Sequence, residues 1–195
     1  MTLTTTNVPA GLHAPGFYSW TAVQLEQLYR TGIFGDNRVE LLFGQIANLG
    51  PLGDLHNTCM YNLEHYLIPR LLPKYDYWIE KSVNLGEDNL PQPDFCVIKN
   101  FKVEGVRPKP TVEEIFVVIE VADSSLEKDQ NLKSVVYAQA GIREYWIANL
   151  VDRQLEVYTE PTSAGKYRLR RLYEHDAVLS HDLLGTVDLG EVFPF

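Results

Sequence analysis

The chain has 195 residues, 45% hydrophobic and 22% charged, with a formal net charge of −9. That is the composition of an ordinary soluble globular protein with enough length for a full core. No apolar run approaches the ~20 residues of a membrane span, and the acidic balance argues against a protein that coats nucleic acid by general electrostatics. It leaves room for an enzyme with a local basic groove, because metal-binding carboxylates add negative charge of their own.

Residues 1–17 lack a basic segment followed by an apolar one, so no signal peptide is expected, only a short flexible leader. Tyr18-Ser19-Trp20-Thr21 opens a helix, capped by Ser19 or Thr21 and ended by Gly32. Arg38–Leu42 and Gln45–Leu49 flank Phe43-Gly44 and predict an antiparallel hairpin. After Gly50-Pro51-Leu52-Gly53, Asp54 reads as the N-cap of a long helix to about Ile68, limited by Pro69. Tyr75 to Leu85 reads as a strand, and Gly86 to Asn89 as a turn. Strands follow after Pro93 and from Ile115, with a surface loop over Asn100–Glu114 between them.

The spacing of Ser124 and Glu127 predicts a capping box for the next helix, and Gly141 closes it. On it, Asp129, Lys133 and Tyr137 share one face, while Leu132, Val135, Val136 and Ala140 form a core face. Arg143–Asn149, Gln154–Thr159 and Tyr167–Tyr173 read as strands, followed by short apolar pieces around Val178, Leu183 and Val187. The basic run Lys166-Tyr167-Arg168-Leu169-Arg170-Arg171 reads first as a solvated edge strand protected by charge, and second as a DNA contact. The sum is an α/β (mixed α+β) fold, a mixed sheet flanked by helices. Cys59 and Cys96 are expected to be two buried thiols in a reducing cytoplasm. No zinc-type Cys/His spacing occurs.

The chemistry concentrates between Pro91 and Tyr137. Asp94 opens one apolar run, and Glu120 sits inside another, Ile115-Phe-Val-Val-Ile-Glu-Val121. A buried carboxylate is costly unless paired, protonated or bound to a metal. Two carboxylates on neighbouring strands with a lysine nearby are what a Mg²⁺ site for phosphodiester hydrolysis requires. The residues alone leave other readings open. Glu120 also fits a silent pair with Lys133, Lys133 an exposed partner of Asp129, Glu40 a solvent-facing strand position, and His56 a loop histidine.

Pro93-Asp94 followed by Glu120 resembles the PD-(D/E)XK nuclease superfamily. The ordered set Arg38-Val-Glu-Leu41, Gly50-Pro51…His56, Glu120-Val-Ala-Asp-Ser-Ser125, Asp129…Lys133…Tyr137-Ala138 and Gly141-Ile-Arg-Glu-Tyr-Trp-Ile147 is similar, more narrowly, to the Uma-type family of bacterial proteins described as restriction endonucleases. The likeness covers roughly residues 18–175. It implies a restriction-endonuclease-like domain over 18–195 and a Mg²⁺- or Mn²⁺-dependent DNA endonuclease. In that reading Asp94 and Glu120 are the metal-binding acids, Glu40 is a supporting acid and His56 a phosphate contact or proton-transfer group. The usual Glu-x-Lys triplet reads Glu120-Val121-Ala122 here, so Lys133 resembles a migrated lysine, with Lys128 as the fallback. A homodimer is expected, because cutting both strands calls for two sites. The displaced lysine and the acidic charge motivate the alternative, a catalytically silent module of the same fold that binds nucleic acid or a protein partner.

Overall fold

A computed structural model describes residues 18–100 and 105–195 of the chain. The leader expected over 1–17 lies outside the described residues, as do 101–104 of the expected surface loop. Helix α1 spans Ala22–Thr31. Thr21, not Ser19, caps it: its hydroxyl accepts from the Gln24 N–H while the Gln24 side chain accepts from the Thr21 N–H. Strands β1 (Val39–Leu42) and β2 (Gln45–Asn48) form the expected hairpin. Phe43 and Gly44 both take positive φ, 50° and 70°, as a two-residue turn matched to strand twist requires. The hairpin is a sheet of its own, tied to the rest by paired backbone bonds between Leu41 and Leu90.

Helix α2 spans Asp54–Leu71, with Gly53 rather than Asp54 at the cap position. It runs past the expected end at Ile68: Pro69 is inside the last turn and forgoes one backbone hydrogen bond there. The central sheet contains β3 (Tyr75–Ile79), β4 (Phe95–Lys99), β5 (Ile115–Ala122), β6 (Glu144–Asn149), β7 (Gln154–Thr162) and β8 (Lys166–Glu174), ordered β3-β4-β5-β6-β7-β8. β5 and β6 are parallel; the other neighbours are antiparallel. β3 stops at Ile79, short of Leu85, since Glu80 turns with φ 46° and the chain leaves the sheet towards β1. A second hairpin, β9 (Val178–His181) with β10 (Gly185–Asp188), follows β8.

The β5–β6 crossover contains α3 (Leu126–Lys128), a π-helical turn over Asp129–Lys133, and α4 (Ser134–Ala140). The capping box expected from Ser124 and Glu127 does not form. Ser125 precedes α3 in right-handed helical conformation, and its hydroxyl donates to Asp129 Oδ2 at 2.6 Å instead. Gly141 closes α4 with φ 87°, as expected.

Strand alternation divides the core into two layers. Phe95, Val97, Val117, Ile119, Val121, Trp146 and Ala148 pack against α2 and the C-terminal hairpin. Cys96, Ile98, Val118, Ala122, Tyr145 and Ile147 pack against α4 and the β1–β2 turn. Cys59 and Cys96 are free, buried thiols. No helix of the described residues is long and apolar enough to cross a membrane.

Candidate metal and catalytic centre

Glu120 falls between Val118 and Ala122 on the face of β5 that packs against α4. The antiparallel register Cys96↔Val118 and Phe95↔Ile119, continued one step, brings Asp94 opposite Glu120. Both carboxylates therefore leave the sheet on one face. Asp94 Oδ2 accepts from the Val121 N–H at 2.7 Å and from His56 Nε2 at 3.2 Å. His56 reaches it from the first turn of α2, as the Gly50–Gly53 loop sets that helix down beside β5.

Lys133 is 3% exposed and lies at the centre of the cluster. Its ammonium donates to Glu120 Oε1 at 2.8 Å and stands 3.5 Å from Glu40 Oε2 and 3.9 Å from Asp129 Oδ1. The Tyr137 hydroxyl donates to the same Glu120 oxygen at 2.6 Å. The reading of Lys133 as an exposed partner of Asp129 is thus replaced: the π-turn points it inward. Glu40 is 0% exposed rather than solvent-facing. It bonds Lys128 at 3.0 Å and accepts from the Gln92 N–H at 3.2 Å. Lys128, the fallback lysine, is committed to Glu40 and does not take the place beside Glu120.

The electrostatics follow from burial. Desolvation opposes charge on Lys133, yet Glu120, Glu40, Asp129 and Asp94 together hold its pKa well above the ordinary lysine value. Desolvation pushes the Glu120 carboxyl well up; Lys133 opposes this, and Asp94 and Asp129 reinforce it. Burial likewise lifts Asp129 to about 6 despite Lys133 and Ser125. The cluster therefore has more carboxylates than its lysines can neutralise, and an added cation would be welcome there. Asp94 is held below the usual carboxylate range: burial works against this, and the His56 hydrogen bond and charge outweigh it. His56 is raised by Asp94 against the opposing effect of burial.

The His56–Asp94 pair has a signed pH dependence. The raised histidine contributes stability that is full below about 6.5 and is lost as pH rises through its folded value; the lowered Asp94 contributes above about 3.9 and loses it as pH falls. In EDTA, the urea-midpoint difference between wild type and His56→Ala is expected to peak between about pH 4 and 6.5 and shrink above it. A difference constant from acid to alkaline pH would contradict this pairing.

Asp94, Glu120, Asp129, Lys128, Lys133 and His56 line one cavity of about 80 Å³, roofed by Leu49–Gly53 and Asp123–Ser125. The cavity is open to the surface and has room for waters and a phosphate group. Among the described residues neither Asp94 Oδ1 nor Glu120 Oε2 takes a hydrogen bond, and buried Asp129 Oδ1 has none either. Among the described residues no three His, Cys, Asp or Glu side chains are grouped to hold a metal by themselves. Two hard carboxylates with uncommitted oxygens nonetheless fit Mg²⁺, which keeps several waters and shares substrate phosphate. At the mouth Arg38, 41% exposed in its side chain, is held only loosely, 3.7 Å from Glu80 and 3.4 Å from Gln92 Oε1.

All five expected residues, Glu40, His56, Asp94, Glu120 and Lys133, come together. Arg38, Gln92, Ser125 and the buried role of Asp129 were not foreseen. The Arg38-Val-Glu-Leu41 motif carried a signal for Arg38; nothing in the sequence marked Gln92, which contributes through its backbone.

The Uma2 family model, described as "Putative restriction endonuclease", matches residues 22–189. A crystal structure from Anabaena variabilis, described as a "putative nuclease belonging to DUF820", superposes with a TM-score of 0.64 at 14% identity, covering 80% of this chain and 89% of that one. That likeness supports the restriction-endonuclease-like fold, a mixed sheet flanked by helices. No curated protein matches the chain.

Proposed function

The chain belongs to the Uma2 family, and from that premise we propose that it is a divalent-metal-dependent DNA endonuclease that hydrolyses phosphodiester bonds. The observation that carries this reading is the meeting of Asp94 and Glu120, each with an uncommitted oxygen, beside the buried ammonium of Lys133. Asp94 and Glu120 would hold Mg²⁺, or Mn²⁺ in its place. Such an ion, when bound, makes a water a stronger nucleophile and offsets charge on the phosphate.

The chain's own residues do the rest. Lys133 keeps its proton and sets a fixed positive charge beside Glu120, where it can orient the attacking water and stabilise charge developing on the phosphate. Tyr137 fixes the other approach to Glu120 Oε1. His56 and the Val121 N–H hold Asp94 Oδ2, which leaves Oδ1 towards the cavity side of the bond network. In this reading His56 would also move a proton or touch phosphate. Glu40 spaces Lys128 and Lys133, and Arg38 meets the entering phosphodiester. Two such sites in a homodimer would serve the two strands of a duplex, in the reducing cytoplasm that the free thiols suit.

The test is incubation of supercoiled plasmid and of single-stranded DNA with the protein in Mg²⁺, Mn²⁺ or EDTA. Nicking or linearisation that EDTA stops is expected. Absence of cutting in every metal, together with no metal binding by calorimetry, would overturn the proposal. One observation favours a second reading, the silent binding module: Glu120 Oε1 is already taken by both Lys133 and Tyr137, as in a purely structural ion pair.

A further inference from the structure

Strand β8 is an edge of the central sheet and its outer side pairs with nothing among the described residues. It carries Lys166, Arg168, Arg170 and Arg171, with no acid before Glu174. Arg170 is committed: its guanidinium donates to the buried Glu156 carboxylate at 2.8 Å and 3.1 Å. Lys166, Arg168 and Arg171 are exposed, and among the described residues no carboxylate lies within ion-pair distance of them. Arg171 exerts only a longer-range pull on Glu144. Lys166 and Arg168 share the face of Arg170 and Leu172, whereas Arg171 is on the opposite face, lining a cavity with Glu144. In a chain with 26 acids against 17 lysines and arginines, Lys166 and Arg168 form a local field opposite in sign to the whole.

This edge is connected to the candidate centre. The register runs Glu120↔Ile147, Ile147↔Glu156 and Glu156↔Leu172, so Leu172 is level with Glu120 three strands away, about 14 Å at ordinary strand spacing. The surface between them is built as one piece. Asp129 lines the cavity, the next residue Gln130 donates to Glu156 Oε1 at 2.7 Å, and Glu156 holds Arg170. Nucleic acid leaving the cavity at 3.4 Å per nucleotide step reaches β8 in about four steps.

We infer that Lys166 and Arg168 of β8 are a docking surface for the nucleic-acid backbone, contacting phosphates a few nucleotides from the bond held in the cavity. The inference rests on the nuclease reading for its substrate. Contacts of this kind add affinity without sequence preference and make binding depend on salt, with a slope near 0.9 per phosphate neutralised on duplex DNA. Charge on an edge strand also deters edge-to-edge pairing of sheets, and that role is separable by experiment.

The experiment compares wild type with the double variant Lys166→Gln/Arg168→Gln, leaving Arg170 to satisfy Glu156. A control variant carries Lys74→Gln/Lys99→Gln at the opposite edge. Binding of a fluorescent 20-base-pair duplex of arbitrary sequence is followed by anisotropy in EDTA between about 50 and 200 mM salt. The double variant is expected to bind more weakly at low salt and to lose about 12-fold less affinity than wild type across that range, while the control matches wild type. An unchanged slope overturns the inference, and a shift in oligomeric state by sedimentation with that unchanged slope assigns the charges to edge protection. Wild type that binds in a salt-dependent way yet cuts in no metal removes the nuclease reading and leaves the docking surface standing. Wild type that does not bind removes the docking surface.

Discussion

Replacing Lys133 by methionine is expected to cost about 3–5 kcal/mol of folding stability, the range for removing one partner of a buried ion pair. Methionine matches the stem in length and apolarity, so little of the loss comes from packing. It comes from Glu120, Glu40 and Asp129, which stand 2.8, 3.5 and 3.9 Å from the ammonium and are themselves buried. Glu40 retains Lys128; Glu120 retains only a tyrosine hydroxyl. For a domain of this size each kcal/mol moves the melting midpoint by about 2–4 °C, so a fall of roughly 10 °C is expected in a thermal melt. A midpoint within a degree or two of wild type would show that the cluster is not held by this lysine. Millimolar Mg²⁺ is expected to restore part of the loss, because a cation beside Asp94 and Glu120 supplies the missing charge.

The second large effect separates chemistry from stability. Glu120→Gln keeps the shape of the side chain and leaves Lys133 with Glu40 and Asp129. Burial already pushes the Glu120 carboxyl towards its neutral form, so the neutral amide is expected to fold with stability near that of wild type in EDTA. Metal-dependent plasmid cleavage, in contrast, is expected to fall by on the order of 10³-fold or more, the scale on which loss of one electrostatic partner of a transition state is felt. Calorimetry should show weakened Mg²⁺ binding in the same variant. A folded Glu120→Gln protein that cuts like wild type would remove Glu120 from the proposed chemistry.

Asp94 and Glu120 were legible because both are carboxylates at positions where strand alternation demands an inward side chain, and such an exception to apolar patterning has a narrow set of physical explanations. Their pairing across the sheet was legible only as a neighbourhood, because the register Phe95↔Ile119 that sets them opposite is fixed by tertiary pairing and not by local pattern. The burial of Glu40 was not legible. Val39-Glu40-Leu41-Leu42 alternates like a half-exposed strand, yet all four residues are buried, because the stretch from Glu80 to Asp94 folds back over the hairpin. The π-turn was equally hidden: an i, i+4, i+8 pattern does not record one extra residue per turn, and Asp129 and Lys133 kept a common face despite it. The Ser124/Glu127 box failed because Ser125, not Ser124, is at the cap position, and its hydroxyl turns to Asp129 four residues on. Glu156 could have been noticed, as it shares with Tyr158 the inward parity of Gln154-Leu155-Glu156-Val157-Tyr158.

The β1–β2 hairpin stands apart from the central sheet and is fastened at its inner end by Glu40 to Lys128 and Lys133. The same charged group that would serve hydrolysis therefore works as a suture between two pieces of the protein. This ties ancestry to chemistry. A descendant that had lost the proposed activity would be unable to discard Lys133 alone, since that single loss leaves buried Glu40, Glu120 and Asp129 without their shared counterweight. Relatives without the proposed activity should thus either keep Lys133 beside its carboxylates or have replaced it together with Glu40, Glu120 and Asp129 by apolar side chains. Intermediates between those two states should be scarce.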